Sequence, residues 1–338
     1  MRYTDNGAED IKIAYIGGGS RGWAWGLMSD LAAAQDMSGS VFLYDIDREA
    51  AARNECIGNK MKDLKECRSA WNYKAVETMK EALTGADFVV ISIMPGTFDE
   101  MESDVHAPEK FGIYQSVGDT TGPGGLMRAL RTIPMFEEFA AAIREYCPQA
   151  WVINYTNPMT VCVKTLYRVF PKIKAFGCCH EVFGTQKLLG LALEDIKGIQ
   201  GAQREDIRVN VVGINHFTWL TAAQYKNMDL FPIYREFALK YRDEGFGEKA
   251  DENWLNRFFD SREQVKLDLF LKYGAIAAAG DRHLAEFCPG SWYLKDEETA
   301  HSWGFKLTPV SWRKEDLKNR LARSERLYKG EELSLIHI

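Results

Sequence analysis

The sequence predicts an α/β protein built on a doubly wound parallel sheet, with a C-terminal α+β domain behind it. Three observations carry this reading. Glycines at Gly17, Gly19 and Gly22 follow directly on an apolar, β-branched run; strand-like and helix-like segments then alternate through the first half; and the second strand-like run, VFLYD, ends in an acid, Asp45.

Each element follows from its local pattern. Ile11–Ile16 is a strand, and Gly17-x-Gly19-x-x-Gly22 has the spacing of a dinucleotide turn, where bare backbone permits a tight bend and close approach of a pyrophosphate. A helix from about Gly22 to Gln35 places Leu27, Leu31 and Ala34 on one face. Asp45 lies 23 residues past Gly22, near the spacing of about 20 at which an acid accepts from a ribose 2′-hydroxyl. This makes the sheet Rossmann-like and points to NAD, because a carboxylate there repels the extra phosphate of NADP; Arg21 is the one feature that argues the other way. A helix from about Arg48 to Glu66, a strand at 87–93, a helix from about Arg128 to Tyr146 and a strand at 150–155 continue the alternation.

The 33 residues from Met94 to Leu126 break the pattern. Rich in Gly, Asp and Thr, and placed at the C-terminal end of a strand, they are expected to form a loop without regular structure that carries Asp119 into an active site.

Composition sets outer bounds. The 338 residues are 46% hydrophobic and carry a net charge of −6 with no basic stripe, which argues against nucleic acid as a partner. No apolar run reaches the roughly 18–20 residues of a membrane span. Seven scattered cysteines without a CxxC pair argue for a reducing compartment, so a cytoplasmic protein is expected.

Chemistry-bearing residues gather at later strand ends. In NYTNPM, Asn154 and Asn157 offer amides to a sugar hydroxyl or the nicotinamide ribose, or simply cap the helix that Pro158 opens. In GCCHEVFG stand Cys178, Cys179 and His180, and 36 residues beyond His180 GINHFTW carries Asn215 and His216. Strand ends on one sheet edge converge, so Cys179 and His216 could share a metal while His180 faces substrate; ordinary core packing is the alternative. GDRHLAEF then brings Asp281, Arg282, His283 and Glu286 into a small-residue stretch, as a site or as a surface turn.

The ordered set GGGSRGW, NYTNPM, GCCHEVFG, GINHFTW and GDRHLAEF resembles glycoside hydrolase family 4, and within it the α-galacturonidase branch, from about Ile11 to about Arg326. The resemblance implies hydrolysis by redox-assisted elimination rather than by two carboxylates. Bound NAD takes hydride from C3 of the sugar, a base removes the acidified C2 proton, the glycosidic oxygen leaves C1, water adds, and the hydride returns. On the same resemblance, Gly17, Gly18, Gly19, Ser20, Arg21, Gly22 and Asp45 hold the cofactor. Cys179 and His216 bind a divalent metal, typically manganese. Asp281 is the C2 base, His180 and Asp119 are candidates for the leaving-group acid, and Asn157 and Asn215 contact substrate. A uronic acid needs a cation, for which Arg128, Arg131, Arg282 and His283 are candidates.

The expected domains are 1–195 for NAD, 196–332 for part of a substrate-binding and oligomerisation domain, and 333–338 as a non-native tail, because LSLIHI matches a translated library adapter. Family members continue for on the order of a hundred residues further, so truncation is expected, with the full-length form a homo-oligomer. Two other readings compete: an ordinary NAD-dependent dehydrogenase of a hydroxy acid or sugar, and an inactive NAD-binding fragment.

Overall fold

A computed structural model describes residues 1–247 and 261–332; the expected tail at 333–338 lies outside the described residues. The chain divides into two compact units that interleave in sequence. The first comprises Met1–Thr97, Ala129–Cys178 and Ser311–Ile338, and the second Phe98–Arg128 and Cys179–Val310. Where the sequence draws one boundary after 195, the chain passes from one unit to the other four times.

The first unit is a seven-stranded sheet. Its strands are β1 (Arg2–Thr4), β2 (Gly7–Ile16), β3 (Met37–Tyr44), β4 (Trp71–Val76), β5 (Phe88–Ile91), β6 (Trp151–Asn154) and β7 (Lys174–Gly177). The parallel order is β4-β3-β2-β5-β6-β7, with β1 antiparallel against β2. Strand order reverses between β2 and β5, the switch point at which such sheets bind ligands. Helices α1 (Trp23–Ala33), α2 (Arg48–Lys60), α3 (Met79–Leu83), α5 (Gly122–Tyr146) and α6 (Met159–Val169) make the crossovers, while α4 (Phe98–His106) belongs to the second unit. Because both faces of the sheet are covered there, the end of β2, Ile13–Ile16, is a continuous buried apolar run. Ala14 and Ile16 enter one core with Phe136 and Ile143, whereas Ile13 and Tyr15 enter the other with Trp25, Ile57 and Leu327.

Within the second unit, α4 corrects the expectation that Met94–Leu126 lacks regular structure. Asp99 and Glu100 in its first turn favour the helix dipole, and Met101 and Val105, one turn apart, are buried against Val310. A 3-10 turn follows at Ala107–Phe111, and α5 begins at Gly122 rather than near Arg128. What remains irregular is 94–97 and 112–121, the second of which carries Asp119.

The rest of this unit is α+β. Strands β8 (Ile207–Ile214), β9 (Phe217–Tyr225), β10 (Met228–Asp229) and β11 (Ile276–Ala277) form an antiparallel sheet in which β9 pairs with the other three. Helices α7 (Glu181–Lys197), α8 (Phe231–Tyr241) and the helix Gln264–Tyr273 surround a core of Leu188, Leu220, Phe237, Leu267 and Phe270. Among the described residues no helix is long and apolar enough to cross a membrane.

Candidate active site

In the first unit the glycine turn is built as a cradle. Gly17 has φ 95°, a region L side chains avoid, and a Cβ there would lie 2.0 Å from the Ser92 carbonyl oxygen. A Cβ on Gly19 would meet the Asp45 carboxylate at 2.9 Å. That carboxylate ties the turn to the strand end: Oδ2 accepts from the Gly19 N–H at 2.8 Å and Oδ1 from the Asp47 N–H at 2.9 Å. Arg21 is matched by Asp47 at 3.0 Å, so its charge is already balanced. Asn54, which spacing did not reveal, props the turn from below. Its amide donates to the carbonyls of Gly18 and Ser20 at 2.8 and 3.1 Å and accepts from the buried Trp25 indole. The glycine positions expected for the dinucleotide therefore lie in one turn where a side chain on Gly17, Gly18 or Gly19 would strike protein atoms, and Asp45 lies at the strand end that this turn touches.

In the second unit, Asp119, His216 and His283 offer three ligand atoms all within 4.8 Å of one another. Three separate segments deliver them: the irregular stretch before α5, the two-residue turn between β8 and β9, and the helix Asp281–Phe287. The imidazoles of His216 and His283 stack at 3.5 Å between centroids. Thr120 organises the other side, its hydroxyl donating to Asp119 Oδ1 at 2.7 Å and lying 2.7 Å from His216 Nδ1. A hydroxyl has one proton, so with that proton on Asp119 the Nδ1–H of His216 donates to Thr120 and Nε2 keeps its lone pair.

The electrostatics suit a cation. Burial opposes ionisation of Asp119, but the charges of His283, His216 and Arg128 outweigh it and hold the carboxyl well below the usual range. Burial pushes His283 down to about 3, helped by His216, and lowers His216 as well. The cluster is thus one carboxylate and two neutral imidazoles, the protonation states in which these groups ligate. His283 Nδ1 is buried and has no hydrogen-bond partner among the described residues, as an atom reserved for a metal would be.

Three of the expected residues lie outside this cluster. Asp281 does not join this cluster: fully buried, it accepts from the N–H groups of Val265 and Lys266 at 3.1 and 3.0 Å. It caps the helix Gln264–Tyr273, whose own N-cap, Glu263, sits at φ 57° without a capping side chain. Burial and the neighbouring Glu263 push its carboxyl up to about 7. Arg282 is also buried, and its guanidinium donates to the Ser116 carbonyl at 2.6 Å. Cys179 is not one of the three converging residues. Burial, then the charge of Glu181, pushes its thiol up, while the Asn215 side chain bonds to it.

The other candidates are placed as follows. His180 is exposed at the start of α7, Arg128 is half-buried with its charge beside Asp119, and Asn215 sits beside His216 in the same turn. Asn157 belongs to the first unit, as does Arg131, which donates to the Pro95 carbonyl. Glu286, noticed only as part of a charged cluster, accepts from the Val117 and Gly118 N–H groups at 2.7 and 2.8 Å and so holds the stretch that presents Asp119. Burial pushes it up to about 7.

Comparison with known proteins agrees with this architecture. Residues 12–194 match the model of the family 4 glycosyl hydrolases and residues 211–336 that of their C-terminal domain. An alpha-galacturonidase of Thermoanaerobacterium saccharolyticum is 67% identical over 332 residues, covering 98% of this chain and 71% of that protein. The crystal structure of the lplD protein of Bacillus subtilis superposes with a TM-score of 0.90 at 55% identity, over 97% of this chain and 74% of the other. A 6-phospho-alpha-glucosidase from gut microorganisms, solved in complex with NAD and Mn²⁺, shares the fold at a TM-score of 0.72 and 21% identity, over 96% and 71%. With two family models spanning most of its length and a relative this close, the chain belongs to glycosyl hydrolase family 4.

Proposed function

We propose that the chain hydrolyses α-galacturonides with NAD and a divalent metal ion, typically manganese. The observation that carries this is the convergence of Asp119, His216 and His283 in a chain that also has an intact dinucleotide cradle. Its 67% identity to an alpha-galacturonidase supports the substrate class, and the NAD and Mn²⁺ in a protein of the same fold support the cofactors. When bound, NAD supplies reversible hydride acceptance and the metal polarises the resulting ketone, which makes the adjacent C–H acidic.

The chain's residues divide the remaining work. Gly17, Gly18 and Gly19 receive the pyrophosphate, Ser20, Arg21 and Gly22 complete that turn, and Asp45 accepts from the ribose. Asp119, His216 and His283 would hold the metal, and Cys179, tied through Asn215 to the turn that carries His216, would offer a thiolate as a further donor. Softness alone would favour zinc or iron on a thiolate and imidazoles, and the Asp119 carboxylate brings the set toward manganese. An ionised Asp119 has no proton to give, so His180 takes the role of leaving-group acid. Arg128 is the cation for the sugar carboxylate, and Asn157 and Asn215 meet sugar hydroxyls. On this reading the enzyme works in the cytoplasm as a homo-oligomer.

The test is hydrolysis of an α-galacturonide in deuterated water with Mn²⁺ and NAD well below the substrate concentration. The expected result is complete turnover, NAD not consumed, and deuterium at C2 of the released sugar. Complete hydrolysis without C2 deuterium overturns the elimination chemistry, and stoichiometric NADH returns the chain to the dehydrogenases.

A further inference from the structure

The turn between β8 and β9 has an unusual burden. It spans two residues, Asn215 and His216, and the second adopts φ 66°, the left-handed region that non-glycine residues seldom enter. Asn and His tolerate that region better than most residues, but tolerance does not select it. Something must hold His216 there, since the same conformation aims its ring at Asp119 and His283.

One carboxylate meets every polar group that the turn offers on that side. Glu181, in the first turn of α7, accepts from the Asn215 side-chain amide at 3.2 Å, from the His216 backbone N–H at 3.1 Å and from the Thr218 hydroxyl at 2.6 Å. A carboxylate is acceptor-only with two oxygens, so the three donors at 215, 216 and 218 of one hairpin suit it as no neutral side chain would. The amide of Asn215 also reaches the thiol of Cys179, two residues before Glu181, which draws the start of α7 and the hairpin into one network.

We infer that Glu181 is a positioning residue for the metal centre: it clamps the 215–218 hairpin in the left-handed conformation that presents His216. This rests on the reading of Asp119, His216 and His283 as metal ligands. The alternative is that Glu181 merely favours the N-terminus of α7 through the helix dipole, which would leave the ligand cluster indifferent to its loss.

The two differ in what they do to metal binding in folded protein. Mn²⁺ affinity is measured by the electron paramagnetic resonance of free Mn²⁺, alongside NAD affinity by fluorescence and melting temperature, in the complete chain and in Glu181→Gln, Glu181→Ala and Thr218→Val. Glu181→Ala is expected to weaken Mn²⁺ about 10- to 100-fold, the range for lost supporting contacts behind a ligand. Glu181→Gln, which keeps one acceptor oxygen, should weaken it less, and Thr218→Val should move it in the same direction. NAD affinity is expected to stay within about twofold, since the dinucleotide turn lies in the other unit. Thr218→Val removes one donor and keeps the side chain's shape, so it carries the test if the Glu181 variants do not fold.

Unmodified protein that takes up no Mn²⁺ overturns the metal reading itself, before any variant is made. Unmodified protein that binds Mn²⁺, beside folded variants that bind it equally well, overturns the role of Glu181 alone.

Discussion

His216 and His283 lie face to face, with ring centroids 3.5 Å apart and 17° between their planes. Two imidazolium ions at that separation would repel strongly, and burial already keeps both rings neutral. With Asp119 they form a site of net negative charge, and a bound divalent ion should stabilise the folded chain. At 100 times its dissociation constant the gain is about 2.7 kcal/mol. Mn²⁺ should therefore raise the melting temperature and EDTA should reverse the rise. His216→Ala and His283→Ala should remove the response while NAD still stabilises. A Mn²⁺ shift of equal size in both variants would place the ion elsewhere.

Arg128 is expected to decide for uronates over neutral sugars. A hydrogen bond to a charged group contributes about 1.5–3 kcal/mol, so Arg128→Ala should lower kcat/KM for a galacturonide by roughly 10- to 100-fold. The matching galactoside, which has no carboxylate to lose, should change little. Side-by-side kinetics on the two substrates check this, and equal losses on both would mean that Arg128 acts through Asp119.

For the dinucleotide, the chain should prefer NAD to NADP, because Asp45 stands at the strand end and Arg21 is held by Asp47 at 3.0 Å. Asp45→Ala should narrow the gap by removing the repulsion, and Asp47→Ala should narrow it by releasing Arg21 toward a 2′-phosphate. Fluorescence titration of both cofactors measures the ratio. Equal affinities in the unmodified protein would contradict the assignment.

Asp281 should reveal itself as a structural acid through pH. Its carboxyl is pushed up to about 7 in the folded chain from the 3.8 of an unperturbed aspartate. Because the folded state holds this proton more tightly, the associated stability is fully present below about pH 4 and is lost as pH rises through about 7. Asp281→Asn removes that component, worth up to about 4 kcal/mol, and leaves a smaller constant loss from the altered cap. Denaturant unfolding of the metal-free protein at pH 5 and pH 8 should therefore show a larger difference between unmodified protein and variant at pH 5. A difference independent of pH would mean that Asp281 is ionised throughout.

The dinucleotide turn was legible because its logic is local: glycine spacing, an adjacent strand and one acid at a set distance specify it, and every residue named there lies in the turn or at the strand end it touches. The metal centre was legible only in part. Asp119, His216 and His283 were each singled out, but spacing along the chain does not say that an irregular stretch, a hairpin and a helix start will meet. The pairing of Cys179 with His216 rests on strand ends of one edge, whereas β8 and β9 belong to a different sheet from β7, so the link between the two runs through the Asn215 side chain instead. The helix cap made by Asp281 is not legible in the sequence, because capping by a side chain 15 or 16 residues away has no local signature. Glu181 was hidden for the opposite reason, since an acid in a helix's first turn is ordinary and its reach to a hairpin 34 to 37 residues on is not written in the motif.

The interleaved chain has a consequence for synthesis. Leu327, with no exposed surface, is sealed among Trp25, Ile57 and Met61, and the helix that carries it, Val310–Lys329, is the last described one to leave the ribosome. Residues 98–128 and 179–310, which make up the whole second unit, emerge before it. The first unit therefore lacks the helix that covers one of its cores until after every segment of the second unit has emerged. That ordering leaves apolar surface of the first unit uncovered during translation, the condition under which nascent chains are prone to aggregate.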